Sequence, residues 1–319
     1  MNNSKKAVVL FSGGLDSSTV LKIALDKGYD VIPISFFYKQ RHKTEIDHAK
    51  RIAKYFNIKN HIIINLDFSS IKGSALVDFN INVPKNQIKI HTGSDPYSLT
   101  DNSEKSEMSA QKSNMPITYN TALIDGNSRK DDNNMNDNKM HIDKIDRNKI
   151  DDNKIDGNKM YIDKMNVHKM DKINYEQKDN IPITYVPARN TIFLSYAIAV
   201  GEVNNAGDIF IGVNWIDYSG YPDCRPEYIH AFEQMANLAT KASVTGALKF
   251  KIHTPLINMG KKDIIKKGND IGVPLEMTHS CYDPINGLAC GVCDSCILRK
   301  NGFIEAGIED PTIYAKSTK

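Results

Sequence analysis

The turn Phe11-Ser12-Gly13-Gly14-Leu15-Asp16-Ser17-Ser18 concentrates residues that bind anions. Two adjacent glycines let the backbone fold into a concavity of N–H groups at the positive end of the helix that follows. Ser12, Ser17 and Ser18 add hydroxyls, and Asp16 is the expected N-cap. Such a turn fits a phosphate or pyrophosphate. It lacks the Gly-x-x-x-x-Gly-Lys-Ser/Thr pattern of the common phosphate loop and the spacing of a dinucleotide fingerprint.

A second polar concentration runs from Gly212 to Pro226 and reads as a long loop. Asp217 and Asp223 could hold a phosphate-bound metal or accept hydrogen bonds from a purine-like ring, while Trp215, Tyr218 and Tyr221 offer stacking faces. Upstream, Arg189 and Asn190 open a helix. Either they face a nucleotide there, or Asn190 caps the helix beside a solvated Arg189. Near the C-terminus, Cys281-x8-Cys290-x2-Cys293-x2-Cys296 supplies four thiols, enough for one tetrahedral zinc. The common iron-sulfur spacing places the fourth cysteine three residues after the third and before proline, whereas here it comes earlier in the chain. Four protein ligands close the coordination sphere, so the metal is expected to be structural. Cys224 lies outside the set, as a small buried hydrophobe or a thiol of the substrate loop.

Buried-strand patterns at 7–11, 31–37, 61–66, 208–213 and 250–254 alternate with helical periodicity at 17–27, 44–56, 226–240 and 261–271. That alternation predicts an α/β fold with a doubly wound, mainly parallel five-stranded sheet, whose ligands bind beyond the carboxyl ends of the strands. Both polar concentrations fall at that edge.

Of 319 residues, 41 are basic and 38 acidic, a net +3 that argues against non-specific nucleic-acid or membrane binding. The chain passes from Met-Asn-Asn-Ser-Lys-Lys directly into a strand pattern and has no bilayer-length apolar run. A cytoplasmic location is therefore expected. Residues 92–180 are crowded with Asn, Asp, Lys, Ile and Met, and repeat Asn-Lys-Ile-Asp at 148–151 and 153–156. This reads as a disordered, low-complexity insertion. Residues 111–120 echo 177–186, as a duplicated remnant would. The expected organisation is an α/β domain in two parts, 1–91 and 181–275, and a zinc subdomain at 276–319.

Together and in this order, the turn at 11–18, Tyr38-x-Gln40-Arg41-His42, Val186-Pro187-Ala188-Arg189-Asn190, Asp217-Tyr218-Ser219-Gly220-Tyr221-Pro222-Asp223-Cys224-Arg225 and the four cysteines resemble the 7-cyano-7-deazaguanine (preQ0) synthase family of queuosine biosynthesis, within the N-type ATP pyrophosphatase (PP-loop) group. The resemblance implies an adenine nucleotide alpha hydrolase-like fold. It also implies ATP-dependent conversion of 7-carboxy-7-deazaguanine and ammonia to the nitrile through adenylated carboxylate and amide. ATP would lie along Phe11, Ser12, Gly13, Gly14, Leu15, Asp16, Ser17, Ser18, Thr19, Val20 and Leu21, with Mg2+, and one structural Zn2+ would sit in each chain. Asp16, Asp217, Tyr218, Ser219, Asp223 and Arg189 are the implied catalytic and substrate-orienting residues. His42, Asp217 and Asp223 all remain candidates for the general base, and a homodimer is the expected assembly. Two departures stand out: the insertion, and Lys39 where the family pattern has glycine. A tRNA-thiolating or lysidine-forming PP-loop enzyme would share the ATP turn. A non-enzymatic zinc module would leave the Gly-Gly turn and the Asp217 to Arg225 segment unexplained.

Overall fold

The computed structural model of the protein describes residues 4–38, 44–68, 70–88 and 181–316. The expected insertion at 92–180 and the Lys39 to His42 part of the Tyr38 loop lie outside the described residues. Five strands, β1 (Lys6–Leu10), β2 (Asp30–Phe37), β3 (Ile62–Asn65), β4 (Asp208–Phe210) and β5 (Lys251–His253), form one sheet in the order β3-β2-β1-β4-β5. Every pairing is parallel. Among the described residues the helices are α1 (Leu15–Asp26), α2 (Thr44–Tyr55), α3 (Arg189–Asn204), α4 (Trp215–Gly220), α5 (Pro226–Ala239), the single turn α6 (Lys241–Val244), α7 (Lys261–Asp270) and α8 (Asp294–Ala306).

Alternation along β1 shows why helices cover both faces. Ala7 and Val9 pack with residues of α1, α2, α7 and α8, while Val8 and Leu10 pack with residues of α3 and α5. The two cores are separate, and the sheet divides them. On the second face Phe36 stacks on Phe193, with ring centroids 4.0 Å apart. Helix α7 is mostly Lys, Asp and Asn, and its buried Ile264 and Ile265 anchor it at about 1.5–3 kcal/mol each. Those two residues fix where its first residue, Lys261, points.

β1 is central, and the chain order reverses between β1 and β4, which opens a crevice at their carboxyl ends. The segment at 70–88 reaches across the molecule. Ala75 N donates to Ile183 O (2.9 Å), Asn86 N to Val292 O (2.8 Å), and Lys85 pairs with Asp283 at 2.9 Å.

Three sequence expectations change here. Asp16 is not the N-cap of α1; that position belongs to Gly14, extended at φ −78° and ψ 166°, and Asp16 sits in the first turn. The polar stretch after β4 is not a loop throughout, because Asn214 caps α4 and a 3-10 turn (Pro222–Cys224) follows. β4 is only Asp208–Phe210; Ile211 N still donates to His253 O of β5 (3.0 Å), and the chain then leaves the sheet for the helix that Asn214 caps.

Candidate active site and metal centre

The crevice contains a cavity of about 290 Å3. One end is the Gly-Gly turn. Gly13 has φ +80°, and a Cβ there would lie 2.5 Å from Ala49 N, so conformation and space both demand glycine. Its carbonyl accepts His279 N–H at 3.0 Å, which ties the turn to the C-terminal segment. Ser17 Oγ donates to Gly14 O (3.2 Å) and lies 3.1 Å from Ser12 Oγ. The first-turn N–H groups of α1 have no intrahelical acceptors and belong to this end of the cavity.

Beside the turn is a charged cluster. Lys261 Nζ donates to Asp16 Oδ2 (2.8 Å) and Oδ1 (3.1 Å). Asn214 Nδ2 donates to Asp16 Oδ2 (2.9 Å) and to Asp217 Oδ2 (2.7 Å). Burial pushes the Asp217 carboxyl up to about 6; Lys261 opposes that shift and Asp16 adds to it. Burial works against the charge on Lys261, but Asp16 and Asp217 outweigh it and hold the ammonium above its ordinary value.

The opposite wall is aromatic and polar. Thr184 Oγ1 and Tyr221 OH are 2.8 Å apart, and the Tyr185 and Tyr221 rings stack at 6.2 Å. Asp223 Oδ2 accepts Asn190 N–H (3.0 Å), and Asn190 Nδ2 donates to Asp223 O (3.1 Å) and Cys224 Sγ (3.2 Å). Arg189 shares this wall; burial opposes its charge, and neighbouring groups, the Asp223 carboxylate among them, favour it and raise its pKa. Burial, with Asp217 and Asp223 adding, pushes the Cys224 thiol far up, so it stays protonated.

Cys281, Cys290, Cys293 and Cys296 are buried, and their sulfurs all lie within 4.8 Å of one another. A tetrahedral zinc with Zn–S of about 2.3 Å needs sulfurs about 3.8 Å apart, and Cys281 and Cys293 are at 4.0 Å. Backbone N–H groups of Asp283 and Cys290 point at Cys281 Sγ, at 3.3 and 3.2 Å, as they do towards thiolate. The donor set fits zinc. Ser280, Cys281, Tyr282, Ser295 and Leu298 of this region also line the cavity, so the cysteine cluster braces its wall.

The family model described as Queuosine biosynthesis protein QueC matches residues 6–122 and 123–307. The 7-cyano-7-deazaguanine synthase of Syntrophobacter fumaroxidans is 42% identical over 313 residues, covering 98% of this chain and 97% of that protein. The enzymes of that name from Desulfatibacillum aliphaticivorans and Geobacter metallireducens are 44% and 43% identical, covering 97% and 98% of this chain and 97% and 94% of theirs. The chain belongs to the QueC family.

In this QueC-family chain Phe11, Ser12, Gly14, Leu15, Asp16, Ser17, Arg189, Asp217 and Asp223 all line one cavity. Ser18, Thr19, Val20 and Leu21, expected along the nucleotide, are buried in or under α1. Val20 and Leu21 belong to the core, and Thr19 Oγ1 donates to Leu15 O at 2.9 Å. Tyr218 and Ser219 lie in α4, with side chains outside the described residues, as is His42. Trp215, expected as a stacking face, is 55% exposed at the surface. Asn190 is not an N-cap; Ala188 holds that position at φ 53°, and Asn190 is buried against Asp223. Sequence reasoning missed Lys261, Asn214 and His279. Lys261 stands in a lysine-rich helix with nothing local to single it out. Asn214, followed by the acidic Asp217 three residues on, carried a readable capping signal.

Proposed function

We propose that this cavity converts 7-carboxy-7-deazaguanine, ATP and ammonia to 7-cyano-7-deazaguanine, the product in its relatives' name. The observation that supports the reading most is that an anion cradle and a ring-sized aromatic wall face the same cavity, with Asp16, Lys261 and Asp217 between them. A carboxylate repels a nucleophile and has a poor leaving group. Attack of its oxygen on the α-phosphorus of ATP forms an acyl adenylate and releases pyrophosphate, which the turn amides, Ser12, Ser17 and Lys261 receive. Ammonia then attacks the acyl carbon, loses a proton and expels AMP to leave the amide. The amide oxygen attacks the α-phosphorus of a second ATP and releases a second pyrophosphate; the adenylated amide gives up one N–H proton to become an imidate, and loss of AMP with the last N–H proton gives C≡N. One site suffices because both activations occur on oxygens of the same carbon.

Asp217, poised near pH 6 and facing the cavity, is the group we assign to take those protons. Asp223 accepts from Asn190 at Oδ2 and only a weak thiol contact from Cys224 at Oδ1 (3.9 Å), which the base's N–H groups would replace. Tyr221 offers a stacking face, and Arg189 pairs with the substrate carboxylate. Asp16 presents hard carboxylate oxygens beside the cradle, which together with the phosphates would hold Mg2+, and the ion would supply further charge withdrawal from the phosphates. The same reading carries a structural zinc in the cysteine set, a homodimer, a cytoplasmic location and no nucleic-acid ligand. A tRNA-thiolation reading needs an accessible thiolate, and buried Cys224 does not supply one.

The test is purified protein with ATP, Mg2+, ammonium and the carboxy-deazaguanine, followed by mass spectrometry. Nitrile and AMP are expected. Modification of added tRNA with no nitrile would overturn the proposal.

A further inference from the structure

We infer that Asn214 is a positioning residue that sets the separation of the two carboxylates on which the reaction turns, Asp16 on the nucleotide side and Asp217 on the substrate side. The inference rests on the activity proposed above. Asn214 is 1% exposed and sits where β4 hands the chain to α4, directly across the crevice from the Gly-Gly turn. Its carbonyl oxygen accepts Ile216 N–H (2.9 Å) and Asp217 N–H (3.2 Å). Its amide nitrogen donates one hydrogen to Asp16 Oδ2 and the other to Asp217 Oδ2.

An asparagine side chain has two acceptor sites and two donor hydrogens, and here all four are used. That saturation also fixes which way the amide faces, because the flipped group would turn its oxygen onto two carboxylates. Capping alone does not call for asparagine. Serine, threonine and aspartate cap comparably well, but none of them offers two N–H donors. Two carboxylates in one recess repel each other and drift apart unless a donor bridges them. Lys261 reaches Asp16, and among the described residues Asn214 is the side chain that hydrogen-bonds both acids and so fixes α4 in register with α1.

Asn214→Ser separates the two roles, since serine keeps an N-cap oxygen and loses the bridge. The expected result is a Tm within a few degrees of wild type, a KM for ATP within about threefold, and a kcat lower by about 10- to 100-fold, as for loss of charge-assisted hydrogen bonds. Asn214→Ala, which loses the cap as well, is expected to melt lower still. Wild-type kcat in the serine variant, or a loss only in KM, would overturn the inference. Combining Asn214→Ser with Asp217→Asn adds a check independent of folding yield: the bridge predicts a non-additive effect on kcat, and strict additivity contradicts it. Crystal structures read the same point without turnover. The Asp16 to Asp217 carboxyl separation should grow in Asn214→Ser, and an unchanged separation overturns the inference. Absence of nitrile formation by the wild-type protein would instead count against the activity proposed above, and leave the structural comparison standing.

Discussion

At the scale of single residues the account turns on Asp217. Its carboxyl is raised to about 6 chiefly by burial, with Asp16 adding and Lys261 opposing. A base must be ionised to accept a proton, so kcat/KM is expected to rise with pH through about 6 and level off above it. Asp217→Asn should remove that limb and lower kcat by about 10²- to 10⁴-fold. A pH–rate profile on both proteins checks this, and an unchanged acid limb in the variant would move the base elsewhere. The stability effect has the opposite sense. Because the folded value lies above the ordinary 3.8, ionising this group disfavours the folded state, and stability contributed by Asp217 falls as pH rises from about 4 to about 6. Asp16, Asp217, Asp223 and Arg189 were legible in the sequence because each sits inside a short motif with its neighbours. Lys261 was not, since its partner Asp16 is 245 positions away and only the fold brings them together.

At the scale of elements, the strand-to-helix turn after β1 and the helical turns after β4 face each other because β1 and β4 are neighbours in the sheet. The apolar runs announced five strands, but strand order was not legible, for nothing within a run says which run lies beside it. The 212–226 stretch read as loop because its aromatics and prolines mask a six-residue helix that depends on the Asn214 cap. The cysteine set was legible from spacing alone, and its placement explains its use. It packs with Ala75 and Val83, and its flanking residues form cavity wall. Removing a metal held there with a chelator should therefore lower Tm, with turnover lost only as a consequence and both restored by Zn2+. Thermal melts and turnover measured across one chelator titration check this. Turnover abolished at an unchanged Tm would mean that the metal acts in the chemistry.

For the whole molecule, the five-stranded sheet and the cavity lining draw on residues from both sides of 92–180. β1 pairs directly with β4 across that interval, and Ala75 bonds Ile183 on its far side. A chain with 92–179 replaced by a short Gly/Ser linker is expected to keep its Tm within a few degrees and its turnover within about threefold. A chain that no longer folds would show that those residues hold the sheet together. The sharpest test of the central claim, that one site adenylates the same carbon twice, is to supply 7-carboxy-7-deazaguanine with both carboxylate oxygens as 18O and to follow the label by mass spectrometry. The account predicts two AMP for each nitrile, each AMP carrying one 18O. Label released into water or pyrophosphate, or a single AMP for each nitrile, would contradict it.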